Sequence, residues 1–360
     1  MVMNSVVKNR LRVLIGVLSF LIFCPDVYSE TKYVCEAVFE TAPGEDPYNI
    51  KICMNQPSPF SAKPENPIQD YSILCPIYFD NKGRLIRANK DITVYDVNAD
   101  NNTIILPPMD EFNFRRIIRI GPEDDIFVEL GKSGNTPYQN NYKLVKYSNS
   151  NNEYIIDSSF STDIFTYPFR NLFISPDGYL FSLSRNSNEE NRYQTNIINP
   201  YGQVEKQANA ICRTKNGTEF YIETETLNTG IRKVKIIDEN SNKIIFEYEG
   251  ASISGYSFNK ATRNNEIIFN GAFFEKIDLN GDLSKFNKKP LFIVCDLNSN
   301  MQNEISMSDY LCDGYHYFTI VKTDCNYLGE LFALAVYFNS PGEITGDEKI
   351  VLYKWHREEE

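Results

Sequence analysis

Leu172-Phe173-Ile174-Ser175-Pro176-Asp177-Gly178-Tyr179-Leu180-Phe181-Ser182-Leu183 is the stretch on which the fold turns. Two apolar runs flank a polar segment that ends in Gly. Aromatic and branched residues favour strands, and Asp-Gly favours a tight reversal. The stretch is therefore expected to form a hairpin. Similar pairs of runs recur around Asp80-Asn81-Lys82-Gly83, Pro122-Glu123-Asp124, Lys215-Asn216-Gly217 and Arg263-Asn264-Asn265. A last pair is Tyr315–Lys322 with Glu330–Phe338. Copies continue into a third strand and, through an Asn/Asp/Gly-rich turn, into a fourth. Asn199-Pro200-Tyr201-Gly202 is such a turn, and Asp278–Asp282 is expected to be another.

A unit of four short strands cannot bury both of its faces alone. It must stack on its neighbours, which defines a repeat fold. The pattern predicts an all-β chain of six blades arranged as a β-propeller. Seven blades remain open if Ile50–Met54 and Leu291–Met307 build a further sheet. The sixth unit lacks a fourth strand, and Tyr33–Phe39 is a spare one near the start. Letting it complete the last blade closes the ring and removes an exposed sheet edge.

The first residues have a different character. Lys8, Arg10 and Arg12 precede the apolar run Leu14–Cys24, and Val27-Tyr28-Ser29 offers compact residues beyond it. That order predicts a signal peptide over 1–29, cleaved after Ser29. The apolar run is shorter than the roughly 20 residues of a spanning helix. The expected organisation is 1–29 signal and 30–360 one propeller domain, with 42–70 a Pro-rich connecting loop that carries Pro57, Pro59, Pro64 and Pro67. Secretion to the periplasm, cell surface or medium follows as an expectation.

The formal charge is −12, and loss of the basic leader makes the remainder more acidic still. Such a surface argues against nucleic acid and anionic membranes as partners. No membrane insertion is expected after signal cleavage. Eight cysteines are present, and cleavage discards Cys24. In an oxidising compartment pairs are expected. Spacing favours Cys312 with Cys325, and Cys35, Cys53 and Cys75 could supply another bridge. Cys212, in Ala210-Ile211-Cys212, is expected to be a buried inert thiol.

The turn pattern around Asp177-Gly178, Asn216-Gly217 and Asn280-Gly281 resembles that of the six-bladed propellers of the NHL, SMP-30/gluconolactonase and TolB-like groups. The lactonase-type members hold a divalent metal in the central channel with acidic and amide side chains. Glu111, Asn171, Asn259 and Asp313 lie near blade entries and would be the corresponding candidates. A metal-dependent hydrolase is thus one function the resemblance implies.

The residues themselves support no catalytic or cofactor site. Only His316 and His356 could serve a hydrolytic triad, which needs a histidine held by an orienting group. Calcium is the metal reading left open, at Asp278–Asp282 and at Asp96–Asp100. An EF-hand loop needs Gly at its sixth position and Glu at its twelfth. The first segment has Leu283 and Lys289 there, and the second has Asn101 and Pro107. Polar turns account for both more simply. Asn101-Asn102-Thr103 and Asn216-Gly217-Thr218 match the glycosylation acceptor pattern. The leading expectation is a non-catalytic binding scaffold for a protein, peptide or glycan. A structural surface component is a further alternative.

Overall fold

Short strands alternate with tight turns along the whole of the described chain. A computed structural model describes residues 33–41, 52–54, 71–73, 77–88, 92–95, 102–105, 114–132, 141–150, 153–162, 170–185, 193–226, 231–251, 256–271, 277–280, 290–307, 314–339 and 347–358. These all fall in one compact unit, Tyr33–Glu360. The expected signal segment, residues 1–29, lies outside the described residues.

The first strand is β1 (Tyr33–Thr41), followed by a short antiparallel pair, β2 (Ile52–Met54) and β3 (Tyr71–Ile73). Blade one is β4 (Ile77–Phe79), β5 (Leu85–Ala88), β6 (Ile92–Tyr95) and β7 (Asn102–Ile105). Blade two is β8 (Phe114–Ile120), β9 (Ile126–Lys132), β10 (Asn141–Ser150) and β11 (Glu153–Ile156). Blade three is β12 (Arg170–Ile174), β13 (Leu180–Arg185), β14 (Tyr193–Ile198) and β15 (Val204–Ala208). Blade four is β16 (Cys212–Arg213), β17 (Glu219–Thr226), β18 (Ile231–Asp238) and β19 (Ile244–Ala251).

Blade five starts with β20 (Tyr256–Ala261) and β21 (Glu266–Gly271). The next strand, β22 (Ile277–Asp278), leaves the blade. The sheet resumes with β23 (Phe292–Asp296) and β24 (Met301–Ile305). Blade six is β25 (Tyr317–Cys325), β26 (Leu331–Phe338) and β27 (Lys349–Arg357), with β1 as its outer strand and β22 against its inner edge. The chain is a six-bladed β-propeller.

Ring closure follows the expectation. β1 pairs antiparallel with β27 from Tyr33 opposite Arg357 to Thr41 opposite Ile350. Among the described residues no seventh blade forms: Ile52–Met54 pairs with β3, and the Leu291–Met307 region supplies the last two strands of blade five. Two details differ from the sequence reading. The apolar residues between Tyr71 and Phe79 serve two sheets, Tyr71–Ile73 pairing with β2 and Ile77–Phe79 opening blade one. The strand that leads into the expected turn at Asp278–Asp282 does not stay in blade five: Ile277–Asp278, β22, pairs with β25 of blade six. Asp278–Asn280 therefore marks a crossing between blades. The true outer turn of blade five is Asp296–Asn300, where Asp296 Oδ1 accepts from the Asn298 and Ser299 amides.

The turn joining the first two strands of each blade has one geometry throughout. Asp80, Gly121, Ser175, Thr214, Thr262 and Asn326 open these turns. In each, the opening N–H donates to the carbonyl four residues on, and the opening carbonyl accepts from the N–H three residues on. The fourth residue is always left-handed, with φ of 73°, 62°, 86°, 83°, 62° and 84° at Gly83, Asp124, Gly178, Gly217, Asn265 and Gly329. Gly, Asn and Asp tolerate that region best, which is why these residues punctuate the sequence. All six turns lie on one face of the ring, called the turn face below.

Every junction between blades holds an apolar cluster. Ile86 and Val94 meet Ile120 and Val128 between blades one and two. Leu144 meets Leu180 at the next junction, and Phe181 meets Ala210 at the one after. Phe220 packs with Ile267 between blades four and five, and Phe292 with Trp355 between five and six. Phe79 stacks on Phe332 at 4.2 Å between blades six and one. A cluster at the last junction as at the others means that the ring is closed by packing as well as by strand pairing.

The closure is tied down by one buried carboxylate. Glu266 opens β21 and is 1% exposed. Its Oε1 accepts from the Arg357 guanidinium of β27 and, at 3.4 Å, from the Tyr33 hydroxyl of β1. Its Oε2 accepts from Thr262 Oγ1 at 3.0 Å. Both strands of the closure thus reach blade five through Glu266. Gly329 completes the packing, since a Cβ there would lie 2.7 Å from Glu266 Oε2 and its φ is +84°.

Removing one partner of a buried ion pair strands the other charge. Arg357→Ala is expected to lower the unfolding free energy in urea by about 2–3 kcal/mol, somewhat less than for a fully buried pair. Lys235→Ala, which breaks an exposed pair with Glu225, is expected to cost less than about 1 kcal/mol. Equal effects from the two would count against the closure knot.

Candidate functional site

The first strand of each blade faces the axis, so these strands decide what the central channel offers. A cavity of about 220 Å³ lies there, at the turn-face end. Its walls come from β4, β8, β12, β20 and β25, with Asn270 of β21 and Tyr327. Blade four contributes nothing, because its first strand is only Cys212–Arg213. Phe258 of β20 fills that sector. It packs on Phe173 of β12 at 4.8 Å and edge-on to Phe220 of β17 at 5.7 Å.

Several wall strands are irregular in a way that matters for the lining. Register shifts fall between Arg115 and Ile118, Arg170 and Leu172, Phe258 and Lys260, and Ile320 and Lys322. A bulge lets consecutive residues share one side of a strand. Ser257 to Lys260, which span the bulge of β20, and Lys322 to Asp324, which follow that of β25, all line the cavity.

Tyr327 stands across the turn-face end of the channel. It is the second residue of blade six's first turn, a position whose side chain usually points to solvent. Here it is fully buried. Its hydroxyl donates to the Ile174 carbonyl of blade three at 2.9 Å. Its amide donates to Asn81 Oδ1 of blade one at 2.8 Å, and its carbonyl accepts from the Arg263 amide of blade five at 2.9 Å. Burial raises the phenol well above its ordinary pKa. Around it, Asn326 Nδ2 donates to the Asp80 carbonyl, and Arg263 pairs with Glu123 from blade five to blade two. One residue and its neighbours thus join opposite sides of the ring and close that mouth. Among the described residues, the channel is therefore closed at the turn face.

Four charged residues line the well, and three are cationic: Arg119, Lys260 and Lys322 against Asp324. Arg119 Nε donates to the Leu172 carbonyl at 2.9 Å. Lys260 Nζ donates to the Cys325 carbonyl at 2.6 Å and lies 4.5 Å from the Tyr327 ring centre. Lys322 Nζ sits 5.4 Å from the Tyr78 ring centre. Asp324 Oδ1 accepts from the Cys325 amide at 2.9 Å. Asn270 accepts from Ser257 Oγ and donates to Thr323 Oγ1.

The residues singled out from sequence are scattered over the ring. Asn259 lines the well at the bulge of β20. Asn171 is exposed at the bulge of β12 with φ of 48°, and Glu111 and Asp313 lie outside the described residues. His316 is exposed, its Nδ1 2.8 Å from Asn280 Nδ2. His356 lies on β27 opposite Val34, away from the axis. Asp278 Oδ1 accepts from the Asn280 amide at 2.9 Å, an ordinary side-chain turn. Gly281, Asp282 and Asp96–Asp100 lie outside the described residues. Among the described residues, no three of His, Cys, Asp and Glu gather as a metal site.

Cys35, Cys212, Cys295 and Cys325 carry free thiols, the last three buried. Cys325 packs in the core between blades five and six. The side chains of Cys53, Cys75 and Cys312 lie outside the described residues. Burial pushes the Cys35 and Cys212 thiols up to about 12 and raises Cys295 and Cys325 as well.

No family model matches the chain, and neither does any curated protein. Among solved structures it is similar to the β-propeller domain of the Trilobed protease from Pyrococcus furiosus. The identity is 10%, over 80% of this chain and 78% of that one, with a TM-score of 0.36. A likeness at that level carries no argument, and the fold rests on the strand pairing above.

Two measurements check this geometry. Tyr327→Phe removes the hydroxyl donor from the buried Ile174 carbonyl, leaving it only the weak Cys212 Sγ contact at 3.9 Å, and is expected to cost about 1–2 kcal/mol. Tyr327→Ala is expected to cost about 3–5 kcal/mol in the same denaturation assay. A Phe variant as stable as the parent would remove the cross-ring bond from the account. Maleimide at neutral pH, mapped by mass spectrometry, is expected to spare Cys212, Cys295 and Cys325 until urea is added, since a buried thiol of raised pKa offers little thiolate. Labelling of any of the three in the native protein would contradict their placement.

Proposed function

We propose that this chain is a secreted, non-catalytic binding propeller that takes the end of a glycan or peptide into its central well. The observation that carries this reading is the channel cavity, closed at the turn face by Tyr327 and lined from five blades. Concave sites lined by aromatic rings with a few polar groups are the usual seats of ligands. A volume of about 220 Å³ equals about seven waters at ~30 Å³ each. That suits one sugar unit or one side chain, so a larger partner would present a terminus. Secretion is supported by the basic and apolar leader before Ser29.

The metal-dependent hydrolase reading finds less support. Asp324, Asn259 and Asn270 could offer oxygens, but Lys260 and Lys322 stand on the same walls. Two ammonium groups oppose a divalent cation through direct repulsion.

Ser257→Trp is expected to fill the well from its rim. It should abolish retention of ligands from the native compartment by the immobilised protein, while the melting temperature stays near that of the parent. Unchanged retention would place recognition elsewhere on the ring. A melting temperature lowered by a chelator would favour the metal reading.

A further inference from the structure

The well carries the opposite charge to the molecule around it. The chain has 48 acidic and 36 basic residues, yet three of the four charged residues lining the cavity are basic. Chance placement on an acidic protein would favour the reverse. Two of the cations also lack counter-charges. Among the described residues, no carboxylate lies within ion-pair distance of Lys260 or Lys322. Lys260 satisfies one of its three donors on the Cys325 carbonyl, and Lys322 contacts the Tyr78 ring face. An ammonium has three N–H donors, so both retain donors for a ligand.

The bulges give these charges their place. In a regular strand, Asn259 and Lys260 would point to opposite sides. The shift at Asn259 precedes Lys260 directly, and the shift at Val321 precedes Lys322 directly, so each lysine stands where the alternation of its strand is reset. Both sit in first strands, from the adjacent blades five and six. The rings of Phe173 and Phe258 supply an apolar wall to the same cavity, and Asn259 adds an amide.

We propose that the well is an anion site, seating a carboxylate-bearing end group against Lys260 and Lys322. An acidic sugar and an acidic amino-acid side chain share that chemistry, and both fit the volume. The proposal rests on the binding reading above and adds the charge of the ligand. An acidic exterior with a cationic well also discriminates between anions. The exterior repels extended polyanions such as nucleic acid, and the well retains a single acidic terminus.

Calorimetric titration of the full mature chain tests it with three probes: D-glucuronate, N-acetyl-glutamate and D-glucose. At least one of the two acids should bind, with affinity falling as salt rises, and D-glucose should not. The acid that binds more tightly identifies the source as glycan or peptide. Lys322→Gln, which breaks no hydrogen bond within the described fold, should weaken acid binding ~10-fold, the effect of losing one charged contact. Lys260→Gln should act in the same direction, with circular dichroism reporting whether the fold survives loss of its bond to Cys325. D-Glucose binding as tightly as the acids, neither acid binding, or Lys322→Gln leaving affinity unchanged would each overturn the anion site. Blockage of native ligand capture by Ser257→Trp would still stand in those cases, so the two readings fail separately.

Discussion

Each blade of this propeller has two apolar faces, and a ring is the arrangement that leaves neither to water. That constraint governs the rest of the structure. β26 shows it most directly, because all of its residues from Leu331 to Phe338 are buried. Leu334 turns towards blade one while Ala333 and Ala335 turn towards blade five. Such a strand is stable only if something lies on each side of its sheet. The ring meets the demand at every junction, but the last one joins blades that are far apart in sequence. β1 and β27 must therefore pair across nearly the whole chain length, and loop closure opposes that pairing entropically. Glu266 helps to offset the cost. Its carboxylate collects Arg357 and Tyr33, one from each strand of the closure, and fixes both to blade five.

The turns explain why so much of this was legible in the sequence. A left-handed fourth residue is a steric requirement, so Gly, Asn or Asp had to recur at those places. The apolar runs between them gave the strands, and counting strands exposed the missing one that Tyr33–Phe39 supplies. The same logic failed at Asp278-Leu279-Asn280. A turn signal records local geometry and says nothing about which sheet the following strand joins. The pairing of β22 with β25 is decided by contacts distant in sequence, Ile277 opposite Phe318 and Asp278 opposite Tyr317.

The channel was hidden for related reasons. Asn326-Tyr327-Leu328-Gly329 has the form of an ordinary surface turn, and nothing local marks Tyr327 as a side chain that crosses the ring. Its burial follows from the position of blade three's Ile174, 153 residues earlier in the chain. Lys260 and Lys322 were equally silent. A strand read by strict alternation assigns each residue to a face, and a bulge reverses that assignment beyond it. Asn259 was singled out as a metal ligand, and it does line the channel. The lysines beside it and on the adjacent blade change what such an amide can accompany.

Blade four shows how the same repeat leaves room for function. Its first strand is reduced to Cys212–Arg213, so the wall of the channel would be open there. Phe258 covers the gap by packing on Phe173 from blade three and Phe220 from blade four. The bulge at Asn259 follows directly, which means that one irregular strand both seals the wall and turns Lys260 inwards. A regular sixfold ring would bring six equal strands to the axis and leave a narrower channel. Here a shortened strand, an aromatic patch and a bulge replace one of them. The asymmetry that makes the well is therefore built from departures from the repeat, while the repeat itself supplies the rigid wall that holds them in place.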